Sequence, residues 1–336
     1  MRALGNTSPA NFTQRGVNPV MKGVDSLYIG FYGNKRKSLL DIGNIADSSG
    51  DVVINNINFT PRYEARGIYN MVLDSELMNL SFDNRLQVPY SPSVYVQIKS
   101  DFIHSIGIHS AYKEILATVN HFYIGGIQEE KISRVDLFAD FVWNRGFSIS
   151  HSCQFVKRAK RIATESEGKQ FSGFTIGRGD LIGRLYNKTL EVEKSGKTWL
   201  NQAWGIDKSS MVWRVEFQFR RDFLNTYGID TFEQLMTSNQ SLWDYATNNW
   251  LSMRVPSKKN TARRLTTKFW KEVQGVDFDS GYEASNIPLT KRQKAGMDVE
   301  HAISMIFGIA KSVARRSNTS LPETIKYLTS TVLQKV

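Results

Sequence analysis

The stretch Ser133-Arg134-Val135-Asp136-Leu137-Phe138-Ala139-Asp140 decides the fold. In a strand, residues two apart share a face. Val135, Leu137, Ala139 and then Phe141 form an apolar face, and Arg134, Asp136, Phe138 and Asp140 form the opposite one. The asymmetry returns twice. From Met211 onward, Trp213, Val215, Phe217 and Phe219 alternate with Arg214, Glu216, Gln218 and Arg220. From Leu181 onward, Leu185 opposes Arg184, Tyr186 and Lys188. Three such strands predict an antiparallel sheet with a core on one side. Asp is depleted in strands, so Asp136 and Asp140 on one face read as functional.

Working outward, residues 27–32 and 94–99 read as further strands, the second with clean alternation, and residues 111–122 as a helix. Residues 131–142, 171–176, 181–188 and 211–220 are the strands of the decisive region. A hairpin at Gly177-Arg178-Gly179-Asp180 joins the middle pair. Residues 148–163 read as a helix capped by Ser148 or Ser150. Its apolar stripe is Phe155, Val156, Ala159 and Ile162, and Lys157, Arg158, Lys160 and Arg161 load its outer surface. Helices follow over 232–251, 261–273 and 299–315. Ser320 with Glu323 forms a capping box for a last helix running toward Gln334. Residues 274–288 read as a linker. The expected class is α+β, an antiparallel sheet domain with one charged face followed by a helical C-terminal region. The expected limits are a flexible arm over 1–22, the sheet domain over 23–228 and the helical region over 229–336.

Charge is uneven. The chain carries a formal net charge of +11, but residues 1–130 hold 11 Lys and Arg against 12 Asp and Glu, while residues 131–336 hold 32 against 20. A basic second part points to a polyanion. Lys258, Lys259, Arg263, Arg264, Lys268 and Lys271 cluster around one predicted helix start, beside Phe269 and Trp270. Cys153 is the only cysteine, which excludes a disulfide within the chain and a thiolate zinc site. It reads as a small core or boundary residue, and His104 and His109 as loop or surface residues. The first residues hold no apolar run, and no stretch reaches the roughly 18–20 apolar residues of a membrane span. A cytoplasmic location is expected, without a membrane partner.

The charged faces suggest a chemistry. Asp136, Asp140 and Glu216 are hard oxygen ligands suited to Mg²⁺ or Mn²⁺. Arg134, Arg184, Lys188 and Arg214 suit phosphate oxygens. Tyr186 stands among them with a phenol that becomes a nucleophile once deprotonated. Carboxylates, cations and a tyrosine on one face fit phosphoryl transfer to tyrosine.

At these residues the sequence resembles the replication initiation factors of rolling-circle plasmids and some filamentous phages. The resemblance is carried by the segment from Ser133 to Asp140, by Gly183-Arg184-Leu185-Tyr186-Asn187-Lys188-Thr189-Leu190-Glu191 and by Trp213-Arg214-Val215-Glu216-Phe217-Gln218, within about residues 90–225. It implies a nicking domain over 23–228 and a DNA-binding or accessory role for 229–336. The tyrosine of that family cuts one strand at an origin and stays joined to the 5′ phosphate. Tyr186 matches that nucleophile, and Asp136, Glu216 and Glu191 match acidic positions near the metal. Arg184 and Lys188 are then catalytic cations, with Asp140 a further metal ligand. Arg134, Arg214, Lys157, Arg158, Arg263, Arg264 and Lys268 are expected to contact DNA. Expected partners are origin DNA, single-stranded or in a hairpin at the nick site, with a homodimer and a host helicase as further candidates. The five histidines, His104, His109, His121, His151 and His301, include no pair separated by one residue. That absence departs from the His-hydrophobic-His motif of the broader nickase and relaxase class.

Three other readings stay open. A mobilisation relaxase of an integrative element would use the same chemistry. A non-catalytic DNA-binding protein would keep Tyr186 as a structural tyrosine. An RNA-binding module would stack bases on its sheet, but the aromatic motif typical of such sheets is absent.

Overall fold

In the computed structural model, residues 19–35, 50–62, 69, 71–83, 91–207, 209–258, 260–278, 289–292 and 299–333 are described. Among the described residues, thirteen strands run in chain order: β1 (Met21–Lys35), β2 (Val52–Ile54), β3 (Ile57–Arg62), β4 (Met71–Asp74), β5 (Met78–Phe82), β6 (Val94–Ile98), β7 (Tyr123–Val142), β8 (Phe155–Lys157), β9 (Ile162–Glu167), β10 (Gln170–Gly177), β11 (Leu181–Asn187), β12 (Val212–Arg220) and β13 (Leu251–Met253). Eleven of them form one sheet in the order β2-β3-β4-β5-β6-β1-β7-β12-β11-β10-β9, and β13 pairs with β8 separately. The paired strands are antiparallel throughout. The expected architecture, an antiparallel sheet with helices toward the C-terminus, is the one found.

The alternation in the decisive stretch sets the sheet's two faces. Val135, Leu137, Ala139 and Phe141 are fully buried beneath helices Ile108–Asn120, Phe232–Asp244 and Lys268–Gln274. Trp213, Trp243 and Trp270 lie in this core. The indole of Trp243 donates to the Val273 carbonyl at 2.8 Å and that of Trp270 to the Thr247 carbonyl at 2.9 Å, which meets the need of a buried N–H.

The opposite face is only partly a surface. A smaller apolar cluster of Met21, Phe138, Val192, Leu200, Trp204 and Val212 covers one end of it. Short helices Lys188–Ser195 and Trp199–Trp204 supply that cover.

Several local expectations are corrected. Residues 148–163 are not one helix. Ser148 does cap a turn, but it is a 3₁₀ turn, Ile149–Gln154. Phe155 and Val156 then join β8, opposite Met253 and Ser252. Cross-strand pairing wins over the helical spacing of the apolar residues, and Cys153 is left exposed. The helix expected over 232–251 ends at Asp244, continues as a π turn, Tyr245–Trp250, and becomes β13. The helix expected from 261 starts at Lys268, capped by Thr267, whose side chain accepts from the Trp270 N–H. Lys259 and most of the expected linker lie outside the described residues.

The boundary expected near 228 does not separate two cores. Trp243 lies 5.3 Å from Phe217, and Phe269 lies 5.4 Å from Phe141. The apolar faces of these helices are buried on the sheet's own apolar face. Compactness instead divides the chain into residues 1–291 and 292–336. The second unit is a pair of helices, Val299–Ser317 and Leu321–Leu333. The capping box is present there: Glu323 accepts from the Ser320 N–H at 3.1 Å, and the Ser320 hydroxyl accepts from the Glu323 N–H at 3.4 Å. Among the described residues, no helix is long and apolar enough to cross a membrane.

Candidate active site

The charged faces of β7, β12 and β11 meet side by side because these strands are neighbours. Register places Arg184 opposite Glu216, Tyr186 opposite Arg214, and Arg214 opposite Asp140. Their side chains pair as the register dictates. Arg184 donates to Glu216 Oε1 at 2.8 Å and to Gln218 Oε1 at 2.9 Å. The Tyr186 hydroxyl donates to Glu216 Oε2 at 3.1 Å. Arg134 holds Asp136 through two hydrogen bonds, the Nε contact at 2.9 Å.

A cleft of about 490 Å³ opens on this layer. Its walls include Tyr186, Arg184, Lys188 and Glu191, so four of the expected catalytic and metal-binding residues share it. Lys188 is not the strand residue expected. The Asn187 side chain accepts from the Leu190 N–H at 3.1 Å and caps a helix that begins at Lys188. That helix lets Lys188 pair with Glu191 three residues on.

Asp140 and Arg214 lie deeper, both with fully buried side chains. Arg214 donates to Asp140 at 2.6 and 2.9 Å, and Trp204 adds a third donor to Asp140 at 2.9 Å. The Arg214 guanidinium also stacks 3.9 Å from the Phe138 ring centre. With its donors taken and no exposed surface, Arg214 does not reach a phosphate in this arrangement, and Asp140 has no edge open to an ion. They tie β12 to β7.

Asp25 was missed by sequence reading. A register shift between Val24 and Ser26 makes Asp25 the extra residue of a bulge in β1. Such a bulge re-aims a side chain. Asp25 accepts from Arg214 at 2.6 Å and from the Ser100 hydroxyl at 3.1 Å, and it lines the cleft. Burial works against its charge, but Arg214, His104 and Lys188 outweigh burial and hold its carboxyl well below the usual range. His104, expected at the surface, is instead buried between Phe138 and Trp199, with Nε2 3.7 Å from Asp25.

Two other shifts matter. Burial, with the neighbouring Glu216, pushes the Tyr186 phenol well above its ordinary value, so it is neutral at rest. Burial also raises the Asp136 carboxyl to about 6; Arg134 pulls it down, while Glu216 and Asp25 push it up.

Gly173 is the other unforeseen contributor. It pairs with Tyr186 across β10 and β11, and a Cβ there would lie 2.7 Å from the Tyr186 Cβ and 2.5 Å from the Leu185 carbonyl oxygen. Only glycine lets β10 approach Tyr186 this closely. Glu165 and Glu167 of β9 and the helix residue Lys194 complete the rim.

Among the described residues, no group of three or more His, Cys, Asp or Glu side chains is gathered to hold one ion. Asp136 and Glu216 are each already matched by an arginine. The remaining expected DNA contacts lie away from the cleft. Lys157 ends β8 and Arg158 follows it, with the Lys157 ammonium donating to the Ala159 carbonyl at 3.0 Å. Arg263 and Lys268 are exposed in the segment after β13, and Arg264 is half-buried there.

The fold and site define a class: an α+β protein with a tyrosine, four cations and several carboxylates in one cleft on an antiparallel sheet. No protein-family model and no curated protein sequence matches the chain. Among solved structures, the chain is similar to a rolling circle replication initiator protein from Geobacillus stearothermophilus. The two share 15% identity over 81% of this chain and 99% of that one, with a TM-score of 0.46.

Proposed function

We propose that this protein nicks one strand of origin DNA by transesterification onto Tyr186 and so initiates rolling-circle replication. The observation that carries the reading is the hydrogen bond from the Tyr186 phenol to Glu216, in a cleft that also holds Arg184 and Lys188. The phenol must lose its proton as it attacks, and Glu216 Oε2 is placed to take it. The Tyr186 oxygen then bonds to phosphorus, the bond from phosphorus to the 3′ oxygen breaks, and that oxygen takes a proton from water. The 5′ phosphate stays on Tyr186 and the free 3′ hydroxyl primes synthesis. Arg184 and Lys188 offset the charge that builds on the phosphate. To do so they exchange Glu216 and Glu191 for phosphate oxygens. A divalent ion, Mg²⁺ or Mn²⁺, enters this proposal only through Asp136 and Glu216, which would first have to leave their arginines.

One observation favours a second reading. Arg134, Arg184 and Lys188 each already have a carboxylate partner, which suits a non-catalytic protein that keeps Tyr186 as a structural tyrosine and binds DNA through other residues. Incubation with a labelled single-stranded origin oligonucleotide and Mn²⁺ separates the two. The nicking reading expects a covalent adduct on the Tyr186 peptide and its loss in Tyr186→Phe, with DNA affinity retained. Cleavage by Tyr186→Phe at a rate near wild type, or an adduct on another tyrosine, would refute it.

A further inference from the structure

The other half of the same sheet face carries tyrosines where the cleft carries carboxylates. Register puts Tyr28 of β1 opposite Arg134 of β7 and opposite Gln97 of β6. Tyr95, two residues before Gln97, shares that face. The rings form a row. Tyr69 stacks on Tyr95 at 5.6 Å, Tyr95 meets Tyr28 at 6.2 Å, and the Arg134 guanidinium lies 4.8 Å from the Tyr28 ring centre. All three tyrosines are half-buried. Cross-strand aromatic pairs support a sheet on their own, but here they continue into a line of cations.

Arg220 gives the row its charge. It stands directly opposite Arg134 across β12 and β7, and like charges so placed repel. Arg134 is matched by Asp136. Arg220 is exposed, and its side chain has no hydrogen bond or ion pair among the described residues. Its charge acts on the Tyr95 phenol, where burial raises the pKa and Ser133, Arg134 and Arg220 pull it back. A repelling pair on an open face is relieved by an anion, and a row of rings is filled by flat aromatic ligands. A nucleic acid strand with unpaired bases supplies both.

We propose that this half of the face is a subsite for single-stranded DNA, in which unpaired bases stack on Tyr28 and Tyr95 and Arg220, at the β12 end of the row, binds a phosphate of the adjoining stretch of strand. The proposal rests on the DNA reading of the cleft, because it makes face and cleft one track. From β1 to β11 is three strand steps, roughly 14 Å, a span that a short stretch of strand covers. A duplex hides its base faces and would gain nothing from the rings.

The test uses the full chain and a single-stranded oligonucleotide carrying 2-aminopurine, whose fluorescence is quenched by stacking. Binding is followed in the Tyr186→Phe background, so cleavage plays no part. Tyr28→Leu with Tyr95→Leu should weaken binding about tenfold or more, abolish the quenching and leave the salt dependence unchanged. Arg220→Gln should lower the slope of log affinity against log salt by about 0.7 while quenching persists. Circular dichroism and melting confirm that each variant is folded. Folded leucine variants that bind and quench like the parent would overturn the subsite, as would tighter binding of duplex than of single strand. Quenching in this background together with no adduct from the wild-type protein would sink the nicking reading and leave this one standing.

Discussion

Arg214 and Arg220 project from the same face of one strand, and their surroundings are opposite. Arg214 is fully buried, clamped by Asp140 and Asp25 and stacked on Phe138. Arg220 is exposed. The difference follows from what lies over each end of the sheet. Helices Lys188–Ser195 and Trp199–Trp204, packed on Phe138 and Val212 of the sheet, close one end, and charge there can persist only in matched pairs. The other end has no such roof among the described helices, and charge there can stay available to a ligand. Residue type alone does not separate an architectural arginine from a binding one; the cover does.

Predictions can break that comparison. Tyr186→Phe, which should remove nicking altogether, is the largest expected effect. Next comes Arg214→Met, which strands two carboxylates in a closed layer and should cost about 3–5 kcal/mol. Arg220→Gln should stay within about 0.5 kcal/mol. Urea melts of the two variants measure the contrast, and equal losses would abolish the distinction between the two ends. Gly173→Ala should cost about 1–3 kcal/mol by overpacking and slow nicking, since the added methyl presses on Tyr186. A variant as stable and active as wild type would mean that β10 can move away freely.

Acid pH probes the layer more gently. The Asp136 carboxyl is raised to about 6 from 3.8, so between those values the folded protein holds a proton that the unfolded chain releases. Its contribution therefore destabilises above pH 6, and the penalty fades as pH falls toward 4. Asp136→Asn should show less gain in stability than wild type on going from pH 7 to pH 5, as read by melting temperature. The smallest effect is expected of the segment after β13. Replacing Arg263, Arg264 and Lys268 together with Ala should flatten the salt dependence of single-strand binding by no more than about 2 in slope, without moving the melting temperature. An unchanged slope takes that segment out of the DNA footprint.

The sequence made the sheet legible where alternation was strict. In β7, β11 and β12, period-two patterning identified both faces, and Tyr186, Arg184 and Glu216 do meet on one of them. What stayed hidden has physical causes. Asp25 sits at a bulge, where alternation fails by construction. Lys188 left its strand because Asn187 is a good helix cap, a local preference that competes with strand spacing. Residues 148–163 carried a helical pattern that cross-strand pairing with Leu251–Met253 overrode. The closure of one end by Trp199 and Trp204 depends on contacts distant in sequence, so no window of residues could reveal that the charged face is half roofed.

The bulge residue has one more consequence, in the order of events during synthesis. Asp25 and Arg214 are 189 positions apart. At ribosomal rates that separation takes roughly 10 to 40 s to translate. Throughout that interval the first strand lacks the cation that holds its carboxylate, and its neighbour β7 is complete only once residue 142 has been added. Pairing over such distances is slow to form in any case. The nascent chain therefore has no assembled cleft until β12 has been made, and a product truncated before residue 214 lacks the cation that holds Asp25.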